Sequence, residues 1–175
     1  MICGCIDIGS NTTRLLVAEP ADGRLRELLR QRAFTRIAKG LRRDDHIPSK
    51  KIAEVAEVVA TQVRLARELG TQTIRAVATA AIREAANQDE FTRAIAKSSG
   101  VAVEVLSDEE EARLAFVGAT SALDHPPDGD IAVIDVGGSS SEIAIGTIAT
   151  GVRASSSFRI GSGFLADSYL HTDPP

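Results

Sequence analysis

One short pattern occurs twice in this chain and restricts its possible folds more than any other feature. Ile6-Asp7-Ile8-Gly9-Ser10 returns as Ile134-Asp135-Val136-Gly137-Gly138-Ser139. In both copies an apolar, β-branched run carries a carboxylate near its end, and glycine and small hydroxyl residues follow. The first turn continues with Asn11-Thr12-Thr13 and the second with Ser140-Ser141-Glu142. Each copy predicts a buried strand, a turn and a second strand: Ile2 to Ile8 then Leu15-Leu16-Val17, and Ile131 to Val136 then Ile143 to Ile145. A chain that starts the same β-meander twice is a duplicated architecture, not a single continuous sheet.

The turn chemistry suits a phosphate. Glycine allows a close backbone approach, and successive N–H groups in such a turn form a concave anion nest. Serine, threonine and asparagine add side-chain donors. Asp7 and Asp135 cannot bind phosphate directly, but they can hold Mg²⁺ or another divalent cation that bridges to it. A single Asp-x-Gly-Ser reads more readily as an ordinary hairpin turn. Two copies, each opening a similar meander, favour a pair of loops gripping a polyphosphate from both sides.

Between the copies the pattern alternates helix and strand. Leu25 to Phe34 predicts a third strand. Ser49 to Leu69 predicts an amphipathic helix through Ile52, Val55, Ala56, Val59, Val63 and Ala66, capped by Ser49 and stopped by Gly70. Thr73 to Thr79 predicts a strand. Asn87-Gln88-Asp89-Glu90 and Ser107-Asp108-Glu109-Glu110 read as capping boxes of two further helices, with a strand from Val101 to Leu106 between them. The loop from His125 to Asp130 contains Pro126-Pro127 and is the expected domain boundary. After Gly151 to Phe158, another strand, little structure is expected.

Composition removes several classes. The net charge of −4 is wrong for a dedicated nucleic-acid binder, and 2 Cys in 175 residues do not make a disulfide scaffold. Aromatics at 3%, with no Trp, leave little for a base-stacking platform. No apolar run is long enough for a membrane helix and no signal-like N-terminus is present, so no membrane partner and a cytoplasmic location are expected. Against this acidic background, Arg24, Arg26, Arg30, Arg32, Arg36, Lys39, Arg42 and Arg43 face a single acid, Glu27, between Arg24 and Arg43. That run reads either as an anion-attracting segment or as a solvated strand face. Cys3 and Cys5 alternate on one strand face and are expected in the core. The histidines have no metal-binding spacing.

The motifs resemble those of the exopolyphosphatase and guanosine pentaphosphate phosphohydrolase (Ppx/GppA) family. Residues 6–17 look like its first phosphate motif and residues 133–142 like its second. Thr35-Arg36-Ile37-Ala38-Lys39-Gly40-Leu41 looks like its basic loop. Thr79 to Asn87 looks like its Thr-x-x-x-Arg-x-Ala-x-Asn segment, and Glu110-Glu111-Ala112-Arg113 like its Glu-Glu-Ala-Arg segment. One departure is Ser139, where the family usually has a third glycine. The resemblance implies an α/β fold. Residues 1–125 would form an actin-like (ribonuclease H-like) domain with a mixed sheet, and residues 126–175 the incomplete start of a second similar domain. Asp173-Pro174-Pro175 resembles a mid-domain segment, so a fragment is expected, with apolar surface on the second half-sheet left uncovered.

The resemblance also implies an enzyme, a phosphoanhydride hydrolase releasing terminal orthophosphate from inorganic polyphosphate. It assigns Glu111 as general base and Arg83 as the charge-stabilising arginine. Gly9, Ser10, Asn11, Thr12, Gly137, Gly138, Ser139 and Ser140 would cradle phosphates, and Asp7, Asp135 and Glu142 would hold the cation. A homodimer is expected of the complete protein. Three alternatives stay open at this level: 5′-phosphate hydrolysis of guanosine pentaphosphate, a non-catalytic polyphosphate or alarmone binder, and an actin-like kinase.

Overall fold

The computed structural model describes residues 1–40, 45–125, 127–170 and 172. Leu41, Arg42, Arg43, Pro126, His171 and the Asp173-Pro174-Pro175 segment therefore lie outside the described residues. The chain packs as two compact units, Met1–Val105 and Leu106–Pro175.

The first unit is a five-stranded mixed sheet in the order β3-β2-β1-β4-β5. Strands β1 (Cys3–Ile8), β2 (Thr13–Ala21) and β3 (Arg24–Ala33) form an antiparallel meander, and β4 (Thr73–Ala78) and β5 (Val103–Val105) continue it in parallel. The parallel steps are made through helices, as parallel pairs require. Helix α1 (Ile37–Gly40) is one short turn. Helix α2 (Ser49–Glu68) precedes β4, and α3 (Ala80–Arg83) and α4 (Gln88–Ser99) precede β5. The periodic residues of α2 are buried as predicted, together with Gln62. They pack with Phe91 and Ile95 of α4 against Ile6, Ile8, Leu15 and Val17. The helix is capped one residue earlier than expected, on Pro48, with Ser49 as its first residue, and ends before Gly70 at φ +76°.

Period two puts Ile6 and Ile8 under the helices and Cys3, Cys5 and Asp7 on the other face. Cys3 and Cys5 are exposed, which corrects their expected place in the core. Alternation sets which residues of β1 share a face, and the face that the helices cover depends on elements outside β1.

The second unit is the antiparallel sheet β6 (Ile131–Val136), β7 (Ser141–Thr147), β8 (Gly151–Phe158). Helix α5 (Asp108–Ser121) lies on it, with Ala112 and Phe116 packed against Ala144, Ile131, Val133 and Val152. The loop expected at the domain boundary thus falls between α5 and the sheet that α5 covers. The chain continues into α6 (Ser162–Tyr169), which the sequence reading left without structure. On the face away from α5, Ile134 and Val136 are 66% and 62% exposed, whereas their counterparts Ile6 and Ile8 are at 0%. The exposed apolar surface expected on the second half-sheet is present.

Candidate functional site

The two repeated turns close in the same way. The Gly9 N–H donates to the Thr12 carbonyl at 2.9 Å, and the Gly137 N–H donates to the Ser140 carbonyl at 2.9 Å. The strands resume at matching pairs, Ile8 with Thr13 and Val136 with Ser141. A Cβ on Gly9 would lie 3.1 Å from the Thr12 oxygen, and one on Gly137 would lie 3.0 Å from the Ser140 oxygen, so the tight closure favours glycine at both places. These two N–H groups are spent inside the turns. The glycines therefore shape the loops.

In the first unit three segments meet at the Gly9–Thr12 turn. The Arg36 N–H donates to the Asn11 carbonyl and the Ala38 N–H to the Ser10 carbonyl, both at 2.9 Å. The hydroxyls of Thr13 and Thr35 are buried against one another at 3.1 Å, and Lys51 Nζ donates to the Thr35 carbonyl at 2.9 Å. The stretch from Thr35 to Ala38 is thus fastened to the turn by its backbone. Arg36 adopts φ +49°, a left-handed conformation that costs a non-glycine residue about 1–2 kcal/mol. Arg83 is the last residue of α3, whose leading residue Thr79 donates its N–H to the Ile8 carbonyl at 3.4 Å. Arg83 therefore stands on a helix tethered to the residue before Gly9.

Asn87 has a role the sequence reading missed. Its side chain does not cap α4. Its Oδ1 accepts from the Ile47 N–H at 2.9 Å and its Nδ2 donates to the Ile47 carbonyl at 3.0 Å, closing a two-bond latch on that peptide. Glu90 supports it by accepting from Nδ2 at 3.0 Å. The latch holds the chain where it returns from the basic segment to α2.

In the second unit the Gly137–Ser140 turn is held by the start of α6. The Ser162 N–H and hydroxyl donate to the Gly137 carbonyl at 2.9 and 3.0 Å, and the N–H groups of Gly163 and Phe164 donate to the Gly138 carbonyl at 2.9 and 3.1 Å. The approach is close enough that a Cβ on Gly161 would sit 2.5 Å from the Gly138 backbone. The Gly161-Ser162-Gly163 triplet was the available sequence signal.

Asp135 and Glu142 are direct cross-strand partners and share the face of the sheet that α5 covers. Glu142 is buried and accepts from the Ser157 hydroxyl at 3.0 Å. Two carboxylates placed opposite one another repel unless a cation or proton intervenes. Among the described residues no three ligand-type side chains converge on one point. That fits Mg²⁺, which takes one or two carboxylates and completes its shell with water and substrate oxygens. Asp7 is differently placed: its cross-strand partner is Arg14.

Glu111 lies half-buried in the first turn of α5, next to Ala112, whose methyl packs in the cluster around Ala144. Ser107 caps this helix by accepting from the Glu110 N–H at 3.2 Å. Arg113 forks onto the Glu110 carboxylate with two bonds of 2.7 Å, and that pairing pushes the guanidinium above its ordinary pKa. Glu110 is thus engaged with its own helix, while Glu111 is carried beside the sheet that holds Asp135 and Glu142.

The model of the Ppx/GppA phosphatase family matches residues 16–175. The chain belongs to the Ppx/GppA phosphatase family. It is 32% identical, with TM-score 0.85, to the crystal structure of the Aquifex aeolicus family member, covering 100% of this chain and 56% of that one. It is 26% identical, with TM-score 0.85, to an exopolyphosphatase from Cytophaga hutchinsonii, covering 97% of this chain and 54% of that one. This Ppx/GppA chain thus spans about half the length of these solved relatives. A type IV pilus PilM–PilN complex at 12% identity and TM-score 0.62 shares the fold alone, which is actin-like as the family resemblance implied. No helix among the described residues is long and apolar enough to cross a membrane.

Proposed function

We propose that the protein hydrolyses the terminal phosphoanhydride of inorganic polyphosphate, with the two repeated turns as its phosphate-binding loops. The observation that carries this reading is the identical closure of the turns at Gly9 and Gly137. It gives each repeat a tight turn in which small polar residues follow the closing glycine, Ser10, Asn11 and Thr12 in the first and Gly138, Ser139 and Ser140 in the second. The fastening of Arg36 and Ala38 to Asn11 and Ser10 supports it by bringing the basic stretch of Arg36 and Lys39 to the first turn.

Glu111 is the general base in this reading. Its carboxylate accepts a proton from the attacking water and orients that water in line with the leaving oxygen. Arg83 donates to the oxygens on which charge accumulates during transfer. Asp135 and Glu142, cross-strand partners in the second unit, would hold the divalent cation, and Asp7 is the matching carboxylate of the first repeat. That ion supplies charge neutralisation at the phosphoryl oxygens. The scarcity of aromatic side chains favours inorganic polyphosphate over a guanosine nucleotide, which would use a stacking surface.

The test is orthophosphate release from polyphosphate by the protein with and without Mg²⁺. The reading predicts cation-dependent release that Glu111→Ala lowers by about 10²-fold or more, the range for losing a positioned base. Unchanged turnover in that variant removes Glu111 from the mechanism.

A further inference from the structure

The open face of the first sheet carries a cluster of cations that the hydrolytic reading leaves unused. Its register pairs Arg14 with Arg32 and Leu16 with Arg30, all on the side of Cys5 and Asp7. These residues line a groove of about 490 Å³. Directly opposed side chains on neighbouring strands lie about 5 Å apart at Cβ, so Arg14 and Arg32 repel each other when nothing lies between them. Neither makes an ion pair among the described residues. Arg32 is instead propped over the Phe34 ring at 4.7 Å, which holds its guanidinium along the sheet. Arg30 shares an exposed carboxylate, Glu27, at 2.6 Å, a pairing of little net strength that an anion can replace. Asp7 bounds the groove on the β1 side.

We propose that Arg14, Arg30 and Arg32 form a second phosphate-binding strip, which takes phosphoryl groups of a linear polyphosphate beyond those held at the Gly9 turn. The spacing supports a chain ligand over a single anion. Arg14 lies in the strand that leaves this turn, and Arg30 is two residues further from it than Arg32 along β3. That separation is about 7 Å, which one orthophosphate does not span with full contact. Guanidinium groups grip phosphoryl oxygens through paired N–H donors, so the strip rewards each added phosphate. This inference rests on the polyphosphate reading above and adds chain-length preference to it.

Isothermal titration of the protein with tripolyphosphate and with a medium-chain polyphosphate tests it. The wild-type protein binds the longer chain more tightly. Arg14→Gln/Arg32→Gln lowers affinity for the longer chain about tenfold or more, from the loss of two charge-assisted contacts, and leaves tripolyphosphate affinity unchanged. Arg30→Gln/Arg32→Gln gives the same pattern at an independent pair. Arg14→Lys/Arg32→Lys, which keeps the charge, retains part of the preference. If tripolyphosphate binds and both neutralised pairs keep the full length preference, the strip is wrong and the hydrolytic reading stands. If the wild-type protein binds neither anion, both fall. Equal loss of binding to a single-stranded oligonucleotide, with that ligand bound more tightly than polyphosphate, overturns the inorganic chain as occupant.

Discussion

Arg36 is the residue at which local cost and proposed use are most plainly opposed. It stands at φ +49° with its N–H bonded to the Asn11 carbonyl, where glycine would sit without strain. Arg36→Gly removes the strain and the charge together. It is predicted to change unfolding free energy by less than about 1 kcal/mol in urea titration, because relief of strain offsets the added freedom of the unfolded chain. The same variant is predicted to weaken phosphate binding about tenfold, the effect of losing one charge-assisted contact. Cys5 reports on the neighbouring carboxylate. Shielding by its surroundings pushes the thiol above its ordinary pKa, the Asp7 charge adds to this, and Arg75 opposes it. Because the folded value is raised, the associated stability is present below the unfolded thiol value of about 8.5 and is lost as pH rises through the folded value. Asp7→Asn is predicted to speed alkylation of Cys5 by iodoacetamide at pH 8. An unchanged rate separates the two groups.

At the scale of elements, the site depends on two fastenings that local sequence patterns do not announce. Asn87→Ala leaves the buried Ile47 peptide without its latch and is predicted to destabilise the first unit by about 2 kcal/mol in chemical denaturation. Gly161→Ala forces the α6 start away from Gly138. It is predicted to cost about 1–3 kcal/mol, read in the same way. The elements legible in advance were those with a local period: β1 and β2 by alternation, and α2 by its i, i+3, i+4 stripe. The Ser107 cap was legible for the same reason, since its partner lies only three residues away. Asn87 looked like a helix cap because capping residues and long-range latches use the same amide chemistry. Helix α6 carries no buried residue and so shows no apolar stripe; its cause is the close approach of Gly161 and Gly163 to a turn more than twenty residues earlier.

The whole chain repeats one design with unequal cover. The first meander has α2 and α4 over Ile6 and Ile8, and β4 on the free side of β1. The second presents Ile134 and Val136 to solvent, and no strand among the described residues pairs with the outer edge of β6. A bare apolar face beside an unpaired edge favours association. The chain is predicted to bind the dye ANS and to self-associate in sedimentation velocity, and Ile134→Lys/Val136→Lys is predicted to reduce both. The Glu111 assignment and the pairing of the turns came from repeated motifs and family resemblance. The sidedness of each sheet needed the structure, because it depends on where distant helices settle.

The central proposal is that each repeated turn is a phosphate-binding loop. Amide chemical shifts in an ¹⁵N-labelled sample, titrated with tripolyphosphate and Mg²⁺, test it most directly. The account predicts saturable shifts at Ser10, Asn11 and Thr12 and at Gly138, Ser139 and Ser140. Saturable shifts confined to residues outside one or both turns would contradict it.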